Sequence, residues 1–257
     1  CCSKQIRIMR VRPFSFLEEV DDAVAFPTLS GNVEDYWLVS NGITLSGGDV
    51  STWDGVLGNK TFLASTEKGG WISSSNADFN NEDTITFDGN RGIGYIDTNI
   101  GGTDTGEVCM ALYGAPHPSA GGWGTIHGLT GLGGSPYNFV EAVERGVNLT
   151  EHYLYKYPSG ASINSSDLTY GKGLYTLSSS SGTGAEFYNK GTTINASSTY
   201  TNYYTTRQQF SIAAYNPINS ASLMGIVDVA GYCIWVNPTN IAADITALDT
   251  YFSSIYG

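Results

Sequence analysis

Charged residues are scarce in this chain, and most of them are acidic. They make up 14% of the sequence, whereas about 25% is usual for a soluble domain. The chain has 12 Lys and Arg against 24 Asp and Glu, which gives a net charge of −12. Because phosphate binding needs clustered Lys and Arg, this composition argues against nucleic acid as a partner.

Long apolar runs, cysteines and histidines are also few. No apolar run approaches the length of about 18 residues that a transmembrane helix needs, so we expect no membrane span. Four cysteines do not form a disulfide framework; Cys109 and Cys233 lie in apolar runs and are expected to act as small hydrophobic side chains, with pairing between them left open. The three histidines, His117, His127 and His152, show no local zinc-binding spacing.

Glycine and tyrosine are abundant instead. The 257 residues include 32 Gly and 17 Tyr, and Ser and Thr are frequent. With few charges, this composition predicts many short strands joined by turns, and the pattern along the chain indicates ten to thirteen of them. The segment 83–89, for example, alternates between polar and apolar residues and ends in an Asp-Gly turn.

The C-terminal stretch shows the clearest pattern. Residues 223–236 are apolar on both alternations, which is typical of a strand buried on both faces. After the turn at 237–240, the apolar residues recur at helical spacing, and Thr239 or Asn240 can cap the first turn. The sequence therefore predicts a central strand followed by a terminal helix whose apolar stripe is Ile241, Ile245, Leu248, Phe252 and Ile255.

Two segments have less regular patterns. Residues 114–136 are rich in glycine and predict a long loop, which in a compact domain is functional or mobile. Residues 138–145 fit a helix and a strand equally well. Together the segments predict one all-β antiparallel sandwich over residues 33–257, preceded by an N-terminal arm and linker over residues 1–32.

The order of four motifs resembles the concanavalin-A-like (laminin-G-like) jelly roll of phage particle proteins and bacterial surface proteins. They are Tyr36-Trp37-Leu38 followed by residues 43–55 (ITLSGGDVSTWDG), then 85–89 (ITFDG), then 187–191 (FYNKG), and finally residues 234–236 followed by 245–257. Lys190 separates the Asn and Gly of the third motif. The resemblance implies two curved antiparallel sheets and a C-terminal helix, with sugars, and in some relatives calcium, as ligands.

Catalytic patterns are lacking. Retaining glycosidases of this group carry closely spaced carboxylates on one strand, and this chain has no such run. The nearest pair, Glu141 and Glu144, is three residues apart, so on a strand the two would point to opposite faces. There is also no G-x-S-x-G segment. We therefore expect a protein that is not an enzyme.

Binding residues are easier to propose, because sugars stack on exposed aromatic rings. Trp71, Trp123, Tyr200, Tyr203 and Tyr204 lie in polar or Gly-rich surroundings; of these, the last four are the predicted glycan-binding residues. A second candidate site consists of acids that flank a Gly-rich turn and could hold calcium, namely Asp97, Asp104 and Glu107. No other cofactor is expected.

The first 12 residues hold a third of the basic residues, Lys4, Arg7, Arg10 and Arg12. Such an arm can bind an acidic neighbouring subunit, including another copy of the chain. A first strand within its own domain and a flexible terminus are the alternatives for this stretch. The sequence thus favours a structural or attachment module of a virion or a bacterial surface assembly, in a homo-oligomer and located on a virion or outside the cell. A lectin-like carbohydrate-binding protein and a glycoside hydrolase are the alternatives.

Overall fold

The computed structural model describes residues 24–64, 69–97, 107–117, 123–131, 139–145, 151–157, 162–165, 171–180, 184–189, 192–196, 208–213 and 225–257. Seventeen strands, one 3₁₀ turn (Ala77–Phe79) and one α-helix lie within these ranges. They are β1 Asn32–Leu38, β2 Ile43–Ser46, β3 Asp49–Asp54, β4 Thr61–Ala64, β5 Trp71–Asn76, β6 Glu82–Asp88, β7 Ile93–Asp97, β8 Glu107–His117, β9 Trp123–Gly131, β10 Phe139–Arg145, β11 Glu151–Tyr157, β12 Ser162–Ser165, β13 Gly173–Ser180, β14 Gly184–Asn189, β15 Thr192–Ala196, β16 Gln208–Ile212, β17 Ile226–Val236 and α1 Ile241–Tyr256.

The strands pair in two series, and every pairing is antiparallel. The first series runs β15, β14, β13, β8 and β17. The other edge of β17 pairs with β6 along its first half and with β1 along its second half, and β6 pairs with β5. The second series runs β12, β11, β10, β9, β16, β7, β4, β3 and β2. The two series join where Asp49 of β3 pairs with Trp71 of β5.

A first hydrophobic core draws side chains from both series. Phe87, Leu112 and Ile234 come from the first series, while Phe62 and Phe210 come from the second. Burial of large apolar side chains contributes roughly 1.5–3 kcal/mol each, so this cluster is the main source of stability.

β17 supplies both of its faces to apolar contacts, as its composition predicts. Val227, Val229 and Ile234 enter the first core, whereas Cys233 and Trp235 enter a second core on the other face. The register against β8 shifts between Val229 and Gly231. Such a bulge adds one residue and changes which positions face each layer. The predicted doubly buried strand is confirmed.

Helix α1 packs its apolar stripe on the second core. Ile245, Leu248 and Phe252 are buried there, and Asn240 caps the helix by accepting a hydrogen bond from the Ala243 amide at 3.2 Å. A Cβ on Gly231 would lie 2.3 Å from the Phe252 ring, so glycine is what allows the helix to approach the sheet this closely. The predicted helix and its N-cap are confirmed.

The segment 24–31 lies against this second core as well. Leu29 is buried in it, and the ring of Phe26 stacks on Tyr36 with centroids 3.9 Å apart. Asp244, in the first turn of α1, accepts hydrogen bonds from the amide and hydroxyl of Ser30 and from the indole of Trp235. This buried carboxylate therefore ties the segment, the helix and β17 together.

The coarse predictions hold: the described chain is mostly β and antiparallel, with one C-terminal helix. The structure adds that the sheet is nearly closed, which the sequence did not predict. The expected long loop over 114–136 is wrong, because β8 continues to His117 and β9 covers Trp123–Gly131. The ambiguous segment near residue 140 is strand β10. The described part of the chain contains no helix with the length and apolarity that crossing a membrane requires.

Candidate functional site

Helix α1 covers only part of the outer face of the first series. Ala111, Tyr113 and Ala115 of β8 lie under or beside the helix, whereas His117, further along the same strand, is partly exposed. The uncovered part carries polar side chains and one indole ring. It consists of Trp71, Ser73, Thr86, Asp88, His117, Ile226 and Asp228, which we call the Trp71–Asp228 surface.

Strand register brings these residues together. Trp71 pairs with Thr86, and Thr86 pairs with Asp228. Asp88 and His117 pair with Ile226 from either side. Directly opposite residues on antiparallel strands share a face, and the intervening positions, such as Phe87 and Val227, point into the first core. Polar residues at alternate positions of β5, β6 and β17 therefore form one continuous surface.

A chain of hydrogen bonds crosses this surface. The Thr86 hydroxyl donates to one carboxylate oxygen of Asp228, and Nε2 of His117 donates to the other oxygen at 2.8 Å. Since the Thr86 proton is used, the Ser73 hydroxyl donates to the Thr86 oxygen at 2.7 Å. Asn76 donates to the neighbouring Thr84 at 3.1 Å. These bonds hold the Asp228 carboxylate in one orientation.

The contact between His117 and Asp228 shifts the pKa of each group in the direction that favours its charged form. The hydrogen bond to Asp228 raises the pKa of His117, against the opposing effect of burial, and the charges of Asp228 and Asp78 act in the same direction as the bond. Burial works to raise the pKa of Asp228, but hydrogen bonds from His117, Thr86 and Asn76 and the charge of His117 lower it overall. An ion pair is thus favoured at this surface.

Arg91 lies beside the indole of Trp71. Its guanidinium carbon is 4.9 Å from the ring centroid, within the range of a cation–π contact. The same guanidinium forms an ion pair with Asp49, contacts Asp88 at 3.5 Å and donates to the carbonyl of Gly69 at 3.1 Å. An aromatic ring is therefore bordered by fixed donors and acceptors at the point where the two strand series join.

The turn between β5 and β6 borders the surface and is held in place. Ser75, Asn80 and Asn81 have positive φ angles of 53°, 58° and 62°. Asn80 donates to the carbonyl of Ile255 at 3.4 Å, and Phe79 is fully buried in the second core. Asn adopts the left-handed region more readily than most residues, and the contacts of Asn80 and Phe79 tie this turn to the helix and the second core.

The predicted site residues have varied outcomes. Tyr200, Tyr203 and Tyr204 and the basic arm (Lys4, Arg7, Arg10, Arg12) lie outside the described residues. Trp71, which is not one of the predicted glycan-binding residues, lies on the Trp71–Asp228 surface. Trp123 begins β9 in the second series, and its side chain is not among those described. The proposed assignment of these residues to glycan binding and to an assembly arm stays a prediction.

The predicted calcium ligands are separated by an undescribed segment. Asp97 ends β7, Glu107 begins β8, and Asp104 lies outside the described residues. Burial raises the pKa of Glu107, with a smaller opposing effect from a hydrogen bond to Ser178. Within the residues that the structure describes, no group of three or more His, Cys, Asp or Glu could hold a metal ion.

Other reactive side chains are buried. Cys109 and Cys233 are free thiols in the second core, and burial raises the pKa of each. His127 lies inside the first core, where burial lowers its pKa to about 3. Glu141 and Glu144 both lie on β10, three positions apart.

Sequence reasoning missed Arg91, Thr86, Asp88 and Asp228. One signal was available, because Asp228 is the single charged residue in the otherwise apolar stretch 223–236. A charge in a doubly buried strand needs a partner, and here the partners are His117 and Thr86. Nothing in the sequence placed those two beside it.

Solved structures with a similar fold include domains of glycoside hydrolases. Trypanosoma rangeli sialidase in complex with sialic acid matches with a TM-score of 0.60 and 15% identity over 90% of this chain, but over only 34% of its own chain. Domain 4 of AbnA, a GH43 extracellular arabinanase from Geobacillus stearothermophilus, in complex with arabinotriose, matches with a TM-score of 0.56 and 14% identity over 86% of this chain and 99% of that domain. A GH54 α-L-arabinofuranosidase matches with a TM-score of 0.55 and 7% identity over 91% of this chain and 61% of its own.

These likenesses show a shared β-rich fold. This chain spans about a third of the length of the sialidase. No protein-family model matches the sequence, and no curated protein matches it at a significant level.

The comparisons overturn two predictions. The hypothesis of a non-enzymatic structural or attachment module of a virion or bacterial surface assembly is wrong, and so is the expectation that the protein is not an enzyme, because the solved structures with a similar fold include glycoside hydrolases. The reason is that few charges and many short strands specify an antiparallel fold, and such a fold serves many functions.

Proposed function

We propose that this chain is a carbohydrate-recognising β domain of a glycoside hydrolase. The observation that carries the proposal is the match to domain 4 of the arabinanase, because it covers nearly the whole of a separate domain that was crystallised with arabinotriose. The match to the sialidase supports it too, since that structure also contains a bound sugar. We further propose glycans as the partner and an extracellular location, as for the arabinanase.

We also propose that the two strand series are the two sheets of a concanavalin-A-like jelly roll. Side chains from both series meet in the first core, as two packed sheets require. Helix α1 then covers the outer side of the first sheet, and the Trp71–Asp228 surface occupies the rest of that side. In this arrangement the surface is open to a ligand.

The Trp71–Asp228 surface is the proposed sugar site. Sugars bind by stacking an apolar ring face on an aromatic side chain while their hydroxyls form hydrogen bonds with polar groups alongside. Trp71 is partly exposed and supplies the ring, and Arg91, Asp88 and Asp228 supply donors and acceptors. Because these polar groups are already held by one another, little side-chain order has to be created when a sugar binds.

Calorimetric titration of the purified chain with arabinotriose and other neutral oligosaccharides tests the proposal. We expect Trp71→Ala to weaken binding at least tenfold and Trp71→Phe, which keeps a ring, to weaken it less. Leu63→Ala is the matched control, because Leu63 is 46% exposed but lies on β4 of the second series. If no oligosaccharide binds, the proposal is wrong; if Trp123→Ala abolishes binding and Trp71→Ala does not, the site lies on the second series.

Hydrolysis is a second candidate function, favoured by the positions of Asp88 and Asp228. Asp88 pairs with Ile226, two residues from Asp228 on the same face. The Cα atoms of diagonal neighbours of this kind are roughly 7–8 Å apart, a spacing that is compatible with the separation of about 6.5–9.5 Å between the two carboxyl groups of inverting glycosidases. We expect the chain to release reducing ends from arabinan, and we expect both Asp88→Asn and Asp228→Asn to abolish this activity. If neutral polysaccharides bind but are not hydrolysed, this candidate function is rejected.

A further inference from the structure

The charges on the proposed sugar site point to one class of sugar. This step rests on the proposed function. The acidic groups at or next to the Trp71–Asp228 surface are Asp49, Asp78, Asp88 and Asp228, and the cationic groups are Arg91 and His117. The surface therefore carries more negative than positive charge, as does the whole chain with its net charge of −12.

Both cations already have carboxylate partners. Arg91 pairs with Asp49, contacts Asp88 at 3.5 Å and also donates to a backbone carbonyl. His117 pairs with Asp228 at 2.8 Å. Recognition of a carboxylate ligand generally depends on an arginine fork that is free to form two parallel bonds. Here carboxylates of the protein already bind both cations, so the carboxylate of an acidic sugar would have to displace them.

A neutral sugar does not have to displace these carboxylates. Its hydroxyls donate to carboxylate oxygens and accept from the guanidinium without bringing a charge. Asp88 and Asp228 offer oxygens of this kind, and the Trp71 ring offers a stacking face that needs no charge. Desolvation also costs less for hydroxyls than for a carboxylate.

We infer that the Trp71–Asp228 surface selects neutral sugars and discriminates against sugars that carry a carboxylate, such as sialic and uronic acids. Discrimination arises because an acidic sugar meets cations that already have carboxylate partners, on a surface with more acidic than basic groups. The shared fold with a sialidase thus does not extend to a shared preference for an acidic ligand.

Matched pairs of ligands test the inference. Titrations compare lactose with sialyllactose, and a neutral trisaccharide with trigalacturonic acid, each at low and high salt and with and without calcium. We expect neutral members to bind at least tenfold more tightly, equivalent to about 1.4 kcal/mol. Salt should narrow the difference by screening the repulsion, while leaving the affinity for the neutral member unchanged.

A charge variant gives a second readout. Asp49→Asn releases Arg91 from its ion pair, so the affinity for acidic sugars should rise severalfold while that for neutral sugars changes little. Asp54→Asn is the control, because Asp54 is an exposed residue of the same strand that contacts Thr61 rather than Arg91. Circular dichroism establishes that both variants fold.

The outcomes separate the two proposals. Binding of acidic sugars as tight as that of neutral ones, with or without calcium, overturns the inference and leaves the proposed function standing. Failure of every sugar to bind overturns the proposed function and the inference with it. The preference for neutral sugars could also be the same in Asp49→Asn as in the wild type. That result would show that the charges named here do not set the selectivity, and it too overturns the inference.

Discussion

Asp35 is a fully buried carboxylate that organises the turn after β3. It accepts hydrogen bonds of 2.9 Å from the amides of Tyr36, Leu57, Asn59 and Lys60. A Cβ on Gly55 would lie 2.2 Å from this carboxylate, so the turn wraps closely around it. Such a group is costly to bury and is retained only because several donors satisfy it.

Removal of this carboxylate should destabilise the fold strongly. We expect Asp35→Ala to lower the free energy of unfolding by about 3–5 kcal/mol, because the buried amides lose a charged acceptor. Urea denaturation measures the change. The matched control is Glu34→Gln, since Glu34 forms only a 3.7 Å surface ion pair with Lys60 and should contribute less than about 1 kcal/mol. Equal effects of the two variants would contradict the structural role of Asp35.

The pair of His117 and Asp228 should make stability depend on pH. The raised pKa of His117 stabilises the fold below the ordinary value of 6.5, and this contribution is lost as pH rises through the folded pKa. The lowered pKa of Asp228 stabilises it above the ordinary value of 3.8, and that contribution is lost as pH falls through the folded pKa. The pair therefore contributes most between about pH 4 and 6.5.

Replacement of His117 tests this dependence. His117→Gln should reduce the free energy of unfolding more at pH 5 than at pH 8, as measured in urea. By NMR, the pKa of His117 should lie above 6.5 in the wild type and fall in Asp228→Asn, because burial then acts without the ion pair. His127 is the internal reference, since its pKa of about 3 keeps it neutral at both pH values. The same loss of stability at pH 5 and pH 8 would count against the ion pair.

Helix α1 and strand β17 depend on each other through the second core. The strand presents small side chains and Gly231 to the helix, and the helix covers Cys109 and Cys233. Both thiols are buried in the docked state, so their reaction with a thiol reagent reports helix undocking.

A side chain at Gly231 should loosen this docking. In a background with Cys1→Ser and Cys2→Ser, we expect Gly231→Ala to increase the rate of labelling of Cys109 and Cys233 at least tenfold, because the added Cβ would overlap the Phe252 ring. Thr246→Ala, on the exposed side of the helix, should leave the rate unchanged. An unchanged rate in Gly231→Ala would mean that helix docking does not govern access to the thiols.

Local sequence patterns predicted the secondary-structure elements well but the pairing of strands poorly. The helical spacing of Ile245, Leu248 and Phe252 specifies one face, so the terminal helix and its cap at Asn240 were predictable. The segment containing His117 and His127 was misread as a loop because of its glycines. Glycine costs strand stability, but β9 is held from both edges by β10 and β16, and those distant partners are not visible in the segment.

At the scale of the whole molecule, the first core joins the two strand series. The ring centroid of Phe62, in the second series, is 4.8 Å from that of Trp37 and 5.3 Å from that of Tyr232. Trp37 and Tyr232 belong to the first series. The ring centroid of Trp53, in the same series as Phe62, is 6.2 Å away. Because one ring contacts both series, we expect the two to unfold together.

Removal of this ring should destabilise both series equally. We expect Phe62→Ala to lower the free energy of unfolding by about 3–5 kcal/mol, with the same shift of the urea midpoint by far-UV circular dichroism and by tryptophan fluorescence. The adjacent Leu63 is 46% exposed, so Leu63→Ala should change stability by no more than about 0.5 kcal/mol. Separate midpoints for the two probes would contradict unfolding in one cooperative step.

The amino-acid order was sufficient to establish an antiparallel β chain that closes with a helix, because periodicity and capping act between neighbours in the chain. It also placed Trp71 in polar or Gly-rich surroundings, although Trp71 was not among the predicted glycan-binding residues. The Trp71–Asp228 surface depended on the folded state, since Trp71, Thr86, His117 and Asp228 come from four strands that meet through hydrogen-bond register. Register is a property of paired strands, and no single segment contains it.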